Sequence, residues 1–72
     1  MNNRPFDLLS DSLGKNVLVE LKENVSVRGT LMAFDIHMNI VLENAEKLQN
    51  GEPKNKYGKM LLRGDNVLLI SP

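Results

Sequence analysis

This sequence of 72 residues has few aromatic side chains, one histidine and no cysteine, and its formal net charge is zero. There is no cysteine and only one histidine, so disulfides and thiolate metal sites are excluded and a structural metal centre is not expected. A domain of this length is marginally stable without such cross-links, and we therefore expect association between subunits to supply stability. No residue pattern predicts a cofactor.

A net positive charge is also missing, because nine Lys and Arg side chains balance nine Asp and Glu side chains. Counterion release alone would therefore not hold nucleic acid on this protein, and a nucleic-acid site would have to concentrate positive charge locally. No apolar run approaches membrane-spanning length, and the chain does not open with a basic segment followed by an apolar core. We expect a soluble protein that acts in the cytoplasm.

The residues that are present predict one short helix followed by five strands. Pro5 and the apolar residues that follow it at helical spacing predict a helix over about 4–13, with Gly14 as its C-terminal cap. Runs rich in β-branched and apolar residues predict strands over 17–21, 25–35, 39–46, 57–63 and 66–71. The chain is expected to be mainly β.

Three breaks in the strand pattern indicate how the sheet is shaped. Gly29 lies in the middle of the second strand, where a strand can bend sharply, and a bent strand favours a small barrel. The polar segment 49–56 predicts a loop that separates two halves of the sheet. Gly64 can adopt a positive φ, and Gly64-Asp65 therefore predicts a tight hairpin turn between the last two strands.

The segment 34–42 places three polar residues, Asp35, His37 and Asn39, at alternate positions among apolar ones. On extended backbone all three would point to the same side. The His37 ring offers a stacking face, and the Asp35 carboxylate can accept one N–H of the Asn39 amide and so stop that amide from flipping. An amide fixed in this way matches uracil rather than cytosine, a preference of roughly 1 to 3 kcal/mol by analogy with base readout in DNA.

A second stretch, Leu62-Arg63-Gly64-Asp65-Asn66-Val67, follows some twenty residues later. Together with Asp35-Ile36-His37-Met38-Asn39 it resembles the two-part signature of the Sm and Sm-like (Lsm) family. The resemblance covers residues 1–72 as one domain. Within it lie a first motif at about 15–46, a variable loop at about 47–57 and a second motif at about 59–71. The short length is similar to that of archaeal members.

The resemblance implies a short N-terminal helix followed by a strongly bent five-stranded antiparallel sheet that forms a small SH3-like barrel. It further implies that subunits join edge to edge, fourth strand to fifth, into a ring. Archaeal members are typically homoheptamers whose pore rim binds uridine-rich single-stranded RNA. A function in RNA processing, turnover or annealing follows as an expectation.

The resemblance also assigns roles to the residues that contact the base. His37 and Arg63 would sandwich the uracil, Asn39 would read its edge, and Asp35 would orient Asn39. A guanidinium plane and an imidazole ring are both good stacking partners, and Arg63 adds positive charge close to the phosphates. Repeated around a ring, this arginine would provide the local positive field that the composition as a whole does not.

Three further residues receive supporting roles from the resemblance. Gly64 would bring a backbone N–H close to the base, and Asp65 would hold the loop and the neighbouring arginine. Arg4, in the predicted helix, is a candidate for a second RNA contact on the helix-bearing face.

Three other functions compete with this one. Asp35 and His37 could form the acid–base pair of a ribonuclease, but the sequence has no second histidine, convincing nucleophile or metal set to complete it, and we expect no enzyme. A structural or protein-interaction ring that leaves the pocket unused is the main alternative. Hexameric bacterial Hfq-type proteins carry a Tyr-Lys-His type second motif, from which Leu62-Arg63-Gly64-Asp65 departs.

Overall fold

The computed structural model describes residues 5–72. Helix α1 (Pro5–Ser12) is followed by the strands β1 (Asn16–Leu21), β2 (Val25–Phe34), β3 (Ile40–Gln49), β4 (Glu52–Leu62) and β5 (Val67–Ser71). A 3-10 turn, Gly64–Asn66, connects β4 to β5. The single helix and the five strands agree with the sequence prediction, and Arg4 lies outside the described residues.

The five strands form one antiparallel sheet in the order β4-β3-β2-β1-β5. Apolar side chains alternate along the strands, so that one face of the sheet is buried and the other faces solvent. The largest fully buried side chains all belong to this inner face: Val19, Val27, Leu31, Ile40 and Leu42. Helix α1 adds Leu9 to the same core.

The sheet bends at Gly29, as predicted. The pairing of β2 with β3 shifts between Arg28 and Thr30, opposite Asn44, which has a positive φ of 54°. A Cβ atom on Gly29 would lie 3.0 Å from the carbonyl oxygen of Glu43, so no side chain fits there without displacing backbone. This bulge allows two strands to approach closely and increases the local twist.

The predicted helix and its Gly14 cap are both confirmed. Gly14 has φ 79°, and this left-handed conformation ends α1 and turns the chain toward β1. Of the apolar residues at helical spacing, Leu9 is buried whereas Phe6, Leu8 and Leu13 are exposed. Leu9 anchors the helix in the core, and Phe6 lies against Phe34 with the ring centroids 5.5 Å apart, but the helix still leaves an apolar surface exposed.

The prediction of a loop at 49–56 is wrong. Strand β3 continues to Gln49 and β4 begins at Glu52, and the two strands pair through this region. Only Asn50 and Gly51 lie between them, with φ values of 52° and 83°. Two consecutive positive φ angles define the tight turn that Asn-Gly favours in hairpins, so the dipeptide closes a long hairpin instead of starting a loop.

The predicted hairpin between the last two strands does not form. Strand β4 pairs with β3, whereas β5 crosses to the far side of the sheet and pairs with β1. Gly64 is not among the glycines with positive φ, and the connection is a 3-10 turn. Within residues 5–72, β4 and β5 are therefore the two unpaired edges of the sheet. None of the helices in this part of the chain has the length and apolar character needed to cross a membrane.

Candidate nucleic-acid interface

The segment 35–39 is a loop and not the extended strand that its alternating pattern predicted. Strand β2 ends at Phe34 and β3 begins at Ile40. Between them Met38 adopts a positive φ of 63°, which reverses the chain direction within a few residues. The alternation of polar and apolar residues was therefore misleading here, and another interaction must gather the polar side chains.

That interaction is made by the Asp35 carboxylate. Its Oδ1 atom accepts hydrogen bonds from the backbone N–H groups of His37, at 2.9 Å, and Asn39, at 3.0 Å. Its Oδ2 atom accepts from Nδ2 of Asn39 at 3.0 Å. Short-range bonds of this kind are typical of Asp, whose carboxylate reaches backbone N–H groups a few residues further on. These three bonds, that from the Asn39 side chain above all, lower the pKa of Asp35.

The Asn39 amide is held at both of its ends. Its Nδ2 atom donates to Asp35, and its Oδ1 atom accepts from the backbone N–H of Gly64 at 3.0 Å. Because the first partner can only accept and the second can only donate, the amide oxygen and nitrogen have defined positions. The amide still has one N–H and one oxygen lone pair available to a ligand.

Gly64 joins the second site loop to the first. A Cβ atom at this position would overlap with the carbonyl oxygen of His37 and lie within 2.9 Å of the carbonyl carbon of Met38. Close packing of two backbones, and not a positive φ angle, therefore explains the glycine. The contact places the turn that carries Arg63 directly against the loop that carries His37.

Arg63 and Asp65 lie on either side of this glycine and form an ion pair. The guanidinium Nη2 and the carboxylate Oδ2 are 3.3 Å apart, and both side chains are well exposed, the arginine at 77%. An exposed pair of this kind contributes little stability but limits the positions that the guanidinium samples. His37 is exposed as well. A cation and an aromatic ring are thus presented to solvent beside the fixed amide.

The structure therefore brings four of the six residues predicted for the uracil pocket into direct contact and places the other two beside them. Asp35, His37, Asn39 and Gly64 are joined by hydrogen bonds and backbone packing, and Arg63 and Asp65 lie on the same turn. In the described part of the chain no cluster of His, Cys, Asp or Glu could hold a metal ion. Met38 packs against the core, and no sequence signal predicts its positive φ, because an apolar side chain carries no information about that angle.

The helix, the five strands and the two contacting site loops together belong to a known type of domain. A model of the LSM domain matches residues 7–72. This chain belongs to the LSM family. The family resemblance predicted from the two motifs is confirmed, and so is the predicted fold.

Three similar proteins illustrate the relationship of this LSM chain to the family. The snRNP Sm-like protein of Pyrococcus furiosus is 57% identical over 72 residues, covering 100% of this chain and 95% of that protein. An Sm protein of Pyrococcus abyssi, solved in complex with a uridine heptamer, is 53% identical with a TM-score of 0.94, covering 97% of this chain and 99% of that one. The SmAP1 heptamer of P. aerophilum is 44% identical with a TM-score of 0.89, and the match covers 100% of this chain and 96% of that one.

Proposed function

We propose that this LSM chain is a non-catalytic subunit of a homoheptameric ring that binds U-rich single-stranded RNA at uracil pockets around a central pore. The observation that carries the proposal is the Asn39 amide, which is fixed by Asp35 at one end and by Gly64 at the other. The similar Sm protein of Pyrococcus abyssi forms a complex with a uridine heptamer, which supports uridine as the ligand.

The fixed amide selects uracil because of the two hydrogen-bonding positions that it has left. Its free oxygen lone pair can accept from N3–H of uracil, and its free N–H can donate to the neighbouring carbonyl oxygen. A cytosine held in the same orientation by its ribose presents an acceptor and a donor in the reversed order. Asp35 contributes by preventing the flip of Asn39 that would remove this difference.

The base is held between His37 and Arg63, and the charge of the arginine also serves the phosphates. Stacking of one base on an aromatic side chain contributes about 1 to 3 kcal/mol, and the guanidinium adds a cation–π interaction. Gly64 and Asp65 keep this arginine beside the first site loop. One pocket is a weak site, but several pockets on one ring bind a single strand with avidity.

Assembly follows from the two open edges of the sheet. Strand β5 exposes Leu68 at 61% and Leu69 at 47%, and β4 exposes Leu61 at 68%. Unprotected apolar edge strands readily pair with another chain. We place β4 of one subunit against β5 of the next, and the heptamer of the similar protein from P. aerophilum supports a ring of seven.

The LSM family consists of RNA-binding proteins, and we therefore propose that the ring assists the processing, turnover or annealing of RNA in the cytoplasm without cleaving it. Arg4, the predicted contact on the helix-bearing face, precedes the described residues, and its role stays a prediction.

The test is a fluorescence-anisotropy titration of the purified protein with labelled oligo-U, oligo-C and oligo-A of equal length at one salt concentration. We expect clear preference for oligo-U. Equal binding of all three would show that the ring holds phosphates without reading bases. Absence of binding would favour the alternative, a structural or protein-interaction ring.

A further inference from the structure

An apolar groove lies between α1 and β5, and residues of both site loops line it. It has a volume of about 300 Å³. We call it the α1–β5 groove, and its lining includes Leu8, Leu9, Met38, Gly64, Leu68 and Ile70. Leu8 and Leu68 are both more than half exposed, so the groove is open to solvent in the single subunit.

Met38 connects this groove to the pocket. Its side chain is partly buried against the core, whereas its backbone, with φ 63°, separates His37 from Asn39. A residue other than glycine keeps a left-handed conformation only where its surroundings hold it there. The orientation of both neighbouring site residues therefore depends on how firmly the Met38 side chain is packed.

Gly64 brings the second site loop to the same groove. Its N–H holds the oxygen of the Asn39 amide, and the residue also lines the α1–β5 groove. Each of the two site loops thus has one residue in the groove wall. Whatever fills the groove therefore contacts one residue of each site loop.

The occupant that fits is the apolar part of β4 from a neighbouring subunit. The first part of β4 carries Pro53 and three lysines, Lys54, Lys56 and Lys59, which are the residues that discourage pairing at a sheet edge. The part that follows, 60–62, contains no proline and no lysine, and its Leu61 side chain is exposed to solvent. Strand β5 has 5 residues against 11 in β4, so it can cover only part of β4, and the apolar part matches it.

We propose that the β4 strand of the neighbouring subunit, entering the α1–β5 groove with Leu61, immobilises Met38 and thereby holds the uracil pocket in its binding conformation. Assembly then raises the affinity of each pocket for a single nucleotide. This effect is separate from the avidity that several pockets provide for one RNA strand. A site whose competent conformation is only partly populated binds with an affinity reduced by that fraction, and filling the groove removes the reduction. Met38 is a positioning residue in this scheme, which rests on the proposed function.

The experiment compares UMP binding by the wild-type ring and by a Leu61→Lys variant, with calorimetry or NMR titration. UMP occupies one pocket at a time, so avidity does not contribute. Lysine blocks edge pairing, and its positive charge would favour the phosphate, so weaker binding cannot be a charge effect. Asn55→Lys, on the polar part of the same strand, is the matched control that should stay assembled.

We expect the folded Leu61→Lys monomer to bind UMP at least about fivefold more weakly than the wild-type ring and the Asn55→Lys ring. Equal affinity per subunit in monomer and ring would overturn the inference and leave the proposed function intact. A wild-type ring that does not prefer UMP to CMP would overturn the proposed function itself, and the inference with it.

A second pair of variants tests the inference inside the assembled ring, should Leu61→Lys unfold or stay assembled. Met38→Ala removes the side chain from the groove, whereas Met38→Leu keeps an apolar side chain of similar reach. With ring assembly confirmed by native mass spectrometry, Met38→Ala should bind UMP several-fold more weakly and distinguish it less well from CMP, and Met38→Leu should restore both. Unchanged UMP binding by Met38→Ala would refute the positioning role.

Discussion

Gly64→Ala is the substitution that most directly tests how the two site loops are joined. The added methyl group would occupy the position of the His37 carbonyl oxygen, which belongs to the backbone and cannot rotate away. The turn that carries Arg63 must then move off the loop that carries Asn39. That movement also breaks the hydrogen bond from the Gly64 N–H to the Asn39 amide oxygen.

The expected cost has two parts. Inserting a methyl group into close-packed structure typically costs about 1 to 3 kcal/mol, because backbone has to shift. Loss of the hydrogen bond to Asn39 adds roughly 0.5 to 1.5 kcal/mol. The free energy of unfolding should therefore fall by about 1.5 to 4.5 kcal/mol. Uridine binding should weaken as well, because the amide is freed at one end.

Gly58→Ala provides a matched control. Gly58, unlike Gly64, lies exposed in β4, and an added Cβ atom would meet no other atom within 4 Å. We expect this variant to change the free energy of unfolding by less than about 0.5 kcal/mol. Urea denaturation at equal protein concentration and anisotropy with oligo-U measure both effects. If Gly64→Ala were as stable as Gly58→Ala and bound oligo-U equally well, the inferred contact between the loops would be wrong.

The remaining predictions concern individual side chains of the pocket. Asn39→Ala should weaken oligo-U binding and reduce discrimination against oligo-C, measured by anisotropy; unchanged selectivity would remove Asn39 as the reader of the base. Arg63→Ala should weaken oligo-U binding and lower its dependence on salt, measured by titration over a salt series, and an unaltered salt slope would place this arginine away from the phosphates. Hydrogen bonds to the Asp35 carboxylate lower its pKa below the ordinary value of 3.8. The ionised carboxylate therefore stabilises the loop fully above pH 3.8, and this stabilisation is lost as the pH falls through the lowered pKa. Titration of Asp35 should therefore shift the NMR signals of the Asn39 side-chain amide with a midpoint below pH 3.8, and a midpoint above that value would contradict the assignment.

Much of the site could be predicted because its first half is local in sequence. Asp35 reaches Asn39 across four residues, so the residue types and their spacing are enough to suggest the contact. Extended backbone does not bring these side chains together, however, since the segment is a loop and not a strand. A period-2 pattern cannot reveal that Met38 takes a positive φ, because side-chain polarity carries no information about that angle.

The second half of the site depends on a contact across 25 residues. The sequence favours glycine, a turn and an arginine at 63–65, but the usual reasons for glycine predicted a positive φ and a hairpin, both of which are wrong. The glycine is required by the backbone of His37, which only the folded chain brings near. Such close approaches are not encoded by local propensity.

The sequence by itself determined the helix with its Gly14 cap, the five strands, the bend at Gly29 and the types of residue in the pocket, because each depends on neighbours in the chain or on alternating burial. The tertiary structure decided that β5 pairs with β1 instead of forming a hairpin with β4. This leaves as open edges the two strands that the family resemblance pairs between subunits. The tertiary structure also decided that Gly64 locks the amide of Asn39 and that Met38 links the pocket to an apolar groove. These features join residues far apart in sequence, and their free energy depends on how the whole sheet bends and closes.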